Sequence, residues 1–152
     1  MQFIRYLAVI LVLALPAQAA VSQTSFEEWA YLQRNTDKTS ISRLLTFLQN
    51  HPNWPAERAL KTALEKRLAK EASDETVTLW FSRFDPVTDE GRIAYIKAMP
   101  QAQAADKLKE WWRAGMFNTE DQRRVLAMIP DTLTAEDNSA RIDTLIWNDR
   151  FE

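Results

Sequence analysis

The chain has 152 residues, 19 basic against 21 acidic side chains for a formal net charge of −2, no cysteine and one histidine. That balance offers no basic footprint for nucleic acid or an anionic membrane surface. Thiol catalysis, disulfides and thiolate metal sites are excluded, and a single histidine cannot build an imidazole zinc or iron centre, so no cofactor is expected.

The first residues read MQFIRYLAVILVLALPAQA, with Arg5, an apolar run from Tyr6 to Leu15 and the small-x-small triplet Ala17-Gln18-Ala19. This is the layout of a secretory signal peptide over 1–19. The run is about half of the roughly 20 apolar residues a spanning helix needs, so no stable membrane anchor is expected after cleavage. The expected product is a periplasmic domain over 20–152.

Only two glycines occur, and no Asn-Gly or Asp-Gly turn lies between alternating apolar residues, so the chain reads as all-α with about eight helices after the signal peptide. The first is expected to start near Ser25, where Thr24 and Ser25 each precede a glutamate by three residues, Glu27 and Glu28. Phe26, Trp29, Ala30 and Leu32 form its apolar side. The second starts near Ser40, carries Ile41, Leu44, Leu45 and Leu48, and stops at Asn50-His51-Pro52. The third opens at Pro55 as a first-turn proline and runs to about Ala72 on Leu60, Ala63, Leu64 and Leu68. Its charges Arg58, Glu65, Lys66, Arg67 and Lys70 alternate in sign and read as a solvated face.

Ser73 or Asp74 caps the fourth helix, which presents Val77, Trp80, Phe81 and Phe84 before Asp85-Pro86. Thr88 caps a fifth with Ile93 and Ile96 inward, ending at Met99-Pro100. The sixth holds Ala104, Ala105, Leu108, Trp111 and Trp112, with Gly115 at a left-handed C-cap. Thr119 begins a seventh carrying Val125, Leu126, Met128 and Ile129. Thr134 with Asp137 caps the last, whose inner stripe is expected to be Ile142, Leu145 and Ile146.

Helix starts recur so that two-helix units repeat about every 30 to 33 residues, which suggests an irregular α-solenoid of helix-turn-helix repeats, with a compact bundle as the competing architecture. The chain stops at Trp147-Asn148-Asp149-Arg150-Phe151-Glu152, without a polar closing helix, and is expected to be the front part of something longer.

The six tryptophans invite a glycan-stacking reading, but five fall on apolar stripes and read as core. Trp54 lies in the joint between the second and third helices, where packing over the joint and glycan contact both remain open. Asp137 and Arg141, four apart, are expected to pair, with Asp143 beside them. No carboxylate pair stands out as a glycosidase site.

Three stretches, FLQNHPNWPAERALKTALEKRLA (47–69), WWRAGMFNTEDQRRVL (111–126) and LTAEDNSARIDTLIWNDRF (133–151), together resemble the N-terminal superhelical region of soluble lytic murein transglycosylases. The residues carrying the likeness are His51, Pro52, Trp54, Pro55, Trp112, Arg113, Phe117, Leu133, Thr134, Glu136, Asp137, Arg141, Asp143, Leu145 and Trp147. The resemblance implies an exported helical arm whose partners are peptidoglycan or a separate C-terminal lysozyme-like catalytic domain, with periplasmic proteins as further candidates. Trp54, Trp112 and Arg113 are its candidates for glycan or domain contact. The family's catalytic Glu-Ser motif and Gly-x-Met-Gln segment have no counterpart here, since Gly115-Met116 leads to Phe117-Asn118, and no catalytic residue is assigned.

Overall fold

A computed structural model describes residues 17–148, with side chains from 23 onward. Most of the expected signal peptide, and Asp149-Arg150-Phe151-Glu152, lie outside the described residues. All regular structure among them is helical, in eight helices: α1 (Ala17–Asn35), α2 (Ile41–Asn50), α3 (Glu57–Glu71), α4 (Asp74–Phe81), α5 (Asp89–Ala98), α6 (Gln101–Arg113), α7 (Thr119–Met128) and α8 (Ala135–Trp147). The chain divides into two compact units at Asn35/Thr36, the first holding α1 and the second α2 to α8.

Thr24 and Ser25 do not open a helix. Both lie inside α1, which already includes Ala17, and in mid-helix the backbone amides of residues 24–28 have carbonyl partners four residues back, so nothing needs a capping box. Within α1, Gln23 donates to Glu27 at 3.2 Å and Phe26 packs on Trp29 with ring centroids 5.3 Å apart.

In the second unit the caps do set the boundaries. Ser40, Ser73 and Thr88 each accept the amide of the third residue of the helix they open, from Arg43, Thr76 and Gly91. Thr134 and Asp137 form the full reciprocal box. α7 begins at Thr119 as expected, and Asn118 caps it, its side-chain carbonyl oxygen accepting from Glu120 and Asp121. Gly115 adopts φ 69°, and Met116 N donates to Trp111 O at 3.0 Å, closing α6 in a left-handed turn that a side chain would strain.

The main packing runs between helices adjacent or next-but-one in the chain: α2 on α3, α3 on α4 and α5, α4 on α5, α5 on α6 and α7, and α6 on α8. Leu60, Leu64 and Leu68, four apart, form the buried edge of α3, and Val77, Trp80 and Phe81 that of α4. A second cluster joins Ile93, Ile96, Leu108, Trp111, Trp112, Phe117, Val125 and Ile129. Each such side chain contributes about 1.5–3 kcal/mol by leaving water, which is the main source of cohesion in a chain without disulfides.

Two carboxylates link alternate helices. Glu65 of α3, fully buried, accepts from Val87 N at 2.9 Å, Thr88 N at 2.8 Å and Thr88 Oγ1 at 2.6 Å, at the N-terminus of α5. A carboxylate there is favoured by the helix dipole and the free first-turn amides. Burial pushes the Glu65 carboxyl up, against the opposing pull of the Thr88 hydroxyl and the Val87 and Thr88 amides. Asp89 of α5 repeats the arrangement one unit later: its Oδ2 accepts from both the backbone and the side-chain nitrogen of Asn118, each at 3.1 Å, at the N-terminus of α7. The N-caps of α3, α5 and α7, Ala56, Thr88 and Asn118, are about 30 residues apart, and those of α5 and α7 are each held by a carboxylate of α3 and α5 respectively.

The last helix reverses the expected stripe. Its buried positions are Asp137 and Arg141, while Ile142 and Ile146 are 56% and 48% exposed. They lie about 100° around the helix from Arg141 and Leu145, so α8 cannot bury both rows against α6. The polar row faces inward, where Arg141 donates to Trp112 O and Phe117 O beside the C-terminal end of α6.

Candidate functional site

Most of the residues singled out in the sequence lie at two helix joints, Asp143 and Trp147 being the exceptions. At the α2–α3 joint, Pro52-Asn53 and Pro55-Ala56 form two successive turns, each a proline followed by a left-handed residue, φ 63° at Asn53 and 56° at Ala56. Proline at the second position of a turn followed by a positive φ is the type II pattern, which explains the double proline. Pro55 therefore sits in the turn closed by Glu57 N to Trp54 O at 3.0 Å, and α3 begins two residues later than a first-turn proline would place it. Ala56 supplies no side-chain cap. Glu57 instead ties the joint to the start of α3, its carboxylate accepting from Asn53 N at 2.7 Å, and it pairs with Lys61 at 2.7 Å. The Lys61 contact leads in holding the Glu57 carboxyl below its ordinary value.

Trp54 turns back onto the end of α2. Its ring meets Phe47 and His51 edge to face, with centroids 6.1 and 5.2 Å away, while His51 stacks on Phe47 at 4.5 Å and its Nδ1 lies 3.1 Å from Phe47 O. The three rings form a plug over the last turn of α2. The Trp54 indole nitrogen is buried without a hydrogen-bond partner among the described residues, so this ring is held by its faces and not by its polar edge. Pro52 and Pro55 are exposed on the outside of the joint.

At the α6–α8 joint, Arg113 and Asp137 pair at 2.6 Å, and Trp112 Nε1 donates to Asn138 Oδ1 at 3.0 Å. Asp137 and Arg141 do not pair. Arg141 donates Nη1 to Trp112 O and Nη2 to Phe117 O, both at 3.1 Å, and its guanidinium lies 4.5 Å from the Trp112 ring centroid. It is a second donor to each of these carbonyls, which also accept from Gly115 N at 3.0 Å and Gln122 Nε2 at 3.1 Å, and it places a cation at the C-terminal end of α6, where the helix dipole favours one. Burial lowers the affinity of Arg141 for its proton, an arginine remaining charged throughout. Asp137 accepts from Thr134 N at 2.7 Å and Thr134 Oγ1 at 2.9 Å; these bonds, the backbone one foremost and with Arg113 assisting, hold its carboxyl at about 2.

Trp112 is 6% exposed, with one face under Arg141 and its nitrogen used internally, which makes it a core residue and leaves no face for a sugar. Arg113 is half exposed at the rim. Asp143 is exposed, takes no part in the Arg141 network, and Trp147 is 89% exposed at the end of α8. The sequence reading missed Glu65 and Asp89. A glycine inside a helix, Gly91, was the available signal: a Cβ there would lie 2.4 Å from Glu65 Oε2, so only glycine leaves room for the buried carboxylate.

Among the described residues no group of three or more histidine, aspartate or glutamate side chains is arranged to hold a metal ion, and no helix is long and apolar enough to cross a membrane. No protein-family model, curated protein or solved structure matches the chain.

Proposed function

We propose that the protein is an exported helical scaffold of the kind that forms the superhelical arm of lytic murein transglycosylases, holding a peptidoglycan context for chemistry performed by a separate lysozyme-like domain. The observation that carries this reading is where the shared residues sit. His51 and Trp54 plug the α2–α3 joint, and Trp112, Arg113, Phe117, Asp137 and Arg141 build the α6–α8 joint, so the likeness falls on the side chains that set helix angles. Neighbour and next-neighbour packing, with carboxylate bridges recurring every second helix, supports a superhelical repeat in which angles at joints determine the curvature. The uncovered row Ile142, Ile146 and Trp147 on α8 suits a following helix.

The test is co-sedimentation of the exported, processed chain with purified sacculi, with muropeptide release measured in the same tubes. Retention on the sacculi without release of anhydro-muropeptides is expected. A chain that stays in the supernatant at every ionic strength refutes the peptidoglycan context, and measurable release refutes the scaffold role. The second reading, a stand-alone periplasmic α-solenoid that binds protein or peptidoglycan, draws on the same joints. Coding sequence after codon 152 separates the two, an in-frame lysozyme-like region belonging to the arm and a stop codon to the module.

A further inference from the structure

The alternating charges of α3 are sorted by the fold. Glu65 turns inward, Arg67 pairs with Glu71 at 2.8 Å and also donates to Thr36 O at 3.2 Å, and Lys61 pairs with Glu57. That leaves Arg58, Lys66 and Lys70, of which the last two, one turn apart, line a cleft of about 320 Å³ between α3, α5 and α7. Lys97 from α5 and Arg124 from α7 line the same cleft, over a floor that includes Ile93, and Glu90 is its one acidic side chain. Lys66, Lys70 and Lys97 make no side-chain hydrogen bond or ion pair among the described residues, and Arg124 pairs with Asp121 outside the lining. In a chain of net charge −2, four cations against one carboxylate in a single cleft is a local reversal of sign.

We infer that this cleft is a binding site for a short acidic peptide, one carrying two or more carboxylates and a free amino group. The cations come from different elements. They are spread over three helices whose axes pack about 8–10 Å apart, with Lys66 and Lys70 about 6 Å apart along α3, which suits carboxylates spaced along a chain better than one phosphate. Glu90 opposes a uniformly dense polyanion and supplies the one partner for an ammonium group. The floor is apolar and shallow, fit for small side chains such as alanine. This assignment goes beyond the scaffold reading and does not depend on it.

The probe is fluorescently tagged Ala-Glu-Ala-Glu with a free N-terminus, followed by anisotropy against the purified protein at 20 and 200 mM salt, beside Ala-Gln-Ala-Gln, the N-acetylated acidic peptide and polyphosphate. Binding of the acidic peptide is expected to weaken with salt, with the glutamine and acetylated peptides weaker still. The triple variant Lys66→Gln/Lys70→Gln/Lys97→Gln should lose about tenfold in affinity, the combined effect of three exposed ion pairs. All three side chains are exposed, so the variant should keep its helical spectrum and melting temperature. Absence of acidic-peptide binding at low salt, or binding unchanged in a folded triple variant, overturns the assignment. Tighter binding of polyphosphate that the acidic peptide cannot displace overturns it in favour of a phosphate polymer.

Discussion

The contact between Glu65 and Gly91 lends itself to a double-mutant cycle whose sign is set by the structure. Glu65→Ala strips the part-buried amides of Val87 and Thr88 of their acceptor, and each unsatisfied donor costs about 1–3 kcal/mol, for roughly 2–6 kcal/mol together. Gly91→Ala alone brings two opposed effects. Alanine in a helix is worth about 1 kcal/mol more than glycine, but the new methyl would stand 2.4 Å from Glu65 Oε2, 2.8 Å from its carboxyl carbon and 3.1 Å from Phe81 Cζ. The carboxylate can retreat only by giving up the bonds that hold it, so Gly91→Ala should destabilise by about 1–3 kcal/mol, the range typical of overpacking. In the Glu65→Ala background the obstruction is gone apart from Phe81, and the same substitution should be neutral or stabilising. The coupling energy is then at least about 1 kcal/mol, well outside the few tenths expected of independent sites. Urea unfolding followed by circular dichroism at 222 nm measures all four corners. Equal effects of Gly91→Ala in the two backgrounds would refute the account of why glycine occupies this helix.

Other substitutions separate the roles of individual groups. Trp112→Phe removes the bond to Asn138 and should cost about 1 kcal/mol more than Trp54→Phe, whose indole nitrogen has no partner to lose; paired urea midpoints check the order. Ala56→Gly relieves a left-handed alanine, worth about 1 kcal/mol, and should leave stability unchanged or raised, whereas glycine at exposed Ala59 inside α3 should lower it. Because the folded state holds the Asp137 carboxyl at about 2, its contribution is complete above the ordinary aspartate value near 4 and disappears as pH falls from there through 2. Asp137→Asn should therefore flatten the loss of stability between pH 4 and pH 2, which thermal melts across that range would read.

Local features were legible in the sequence because they depend on neighbours in the chain. Ser40, Ser73, Thr88 and the Thr134/Asp137 box mark helix starts by the spacing that the free amides demand, and Gly115 marks an end by its freedom at positive φ. Trp111 and Trp112 read correctly as core because both lie in register with Leu108. Thr24 and Ser25 carry the same signature without effect, since a capping box matters only where the preceding turn is absent. Periodicity could not reveal which of two stripes on α8 faces inward. That choice depends on partners more than 20 residues away, Trp112 O and Phe117 O, which Arg141 reaches while Ile142 and Ile146 stay outside. Glu65 was illegible for the same reason, because its donors come from 22 and 23 residues further along the chain.

The same long-range bonds connect the frame of the protein to the proposed peptide cleft. Lys66 directly follows Glu65 on α3, so the carboxylate that grips the start of α5 also fixes the separation between the lysines of α3 and Lys97 of α5. Asp89 does the same for α5 and α7, and hence for Arg124. A charged cleft discriminates between ligands only while its charges keep their spacing, and long lysine side chains supply none of that rigidity themselves. Glu65→Ala touches no lining residue, yet it should loosen α5 against α3 and reduce acidic-peptide affinity while leaving the salt dependence intact, since the number of cations is unchanged. A folded Glu65→Ala protein with unaltered affinity would mean that the lysines act as independent surface charges, and the clamp would then belong to stability alone.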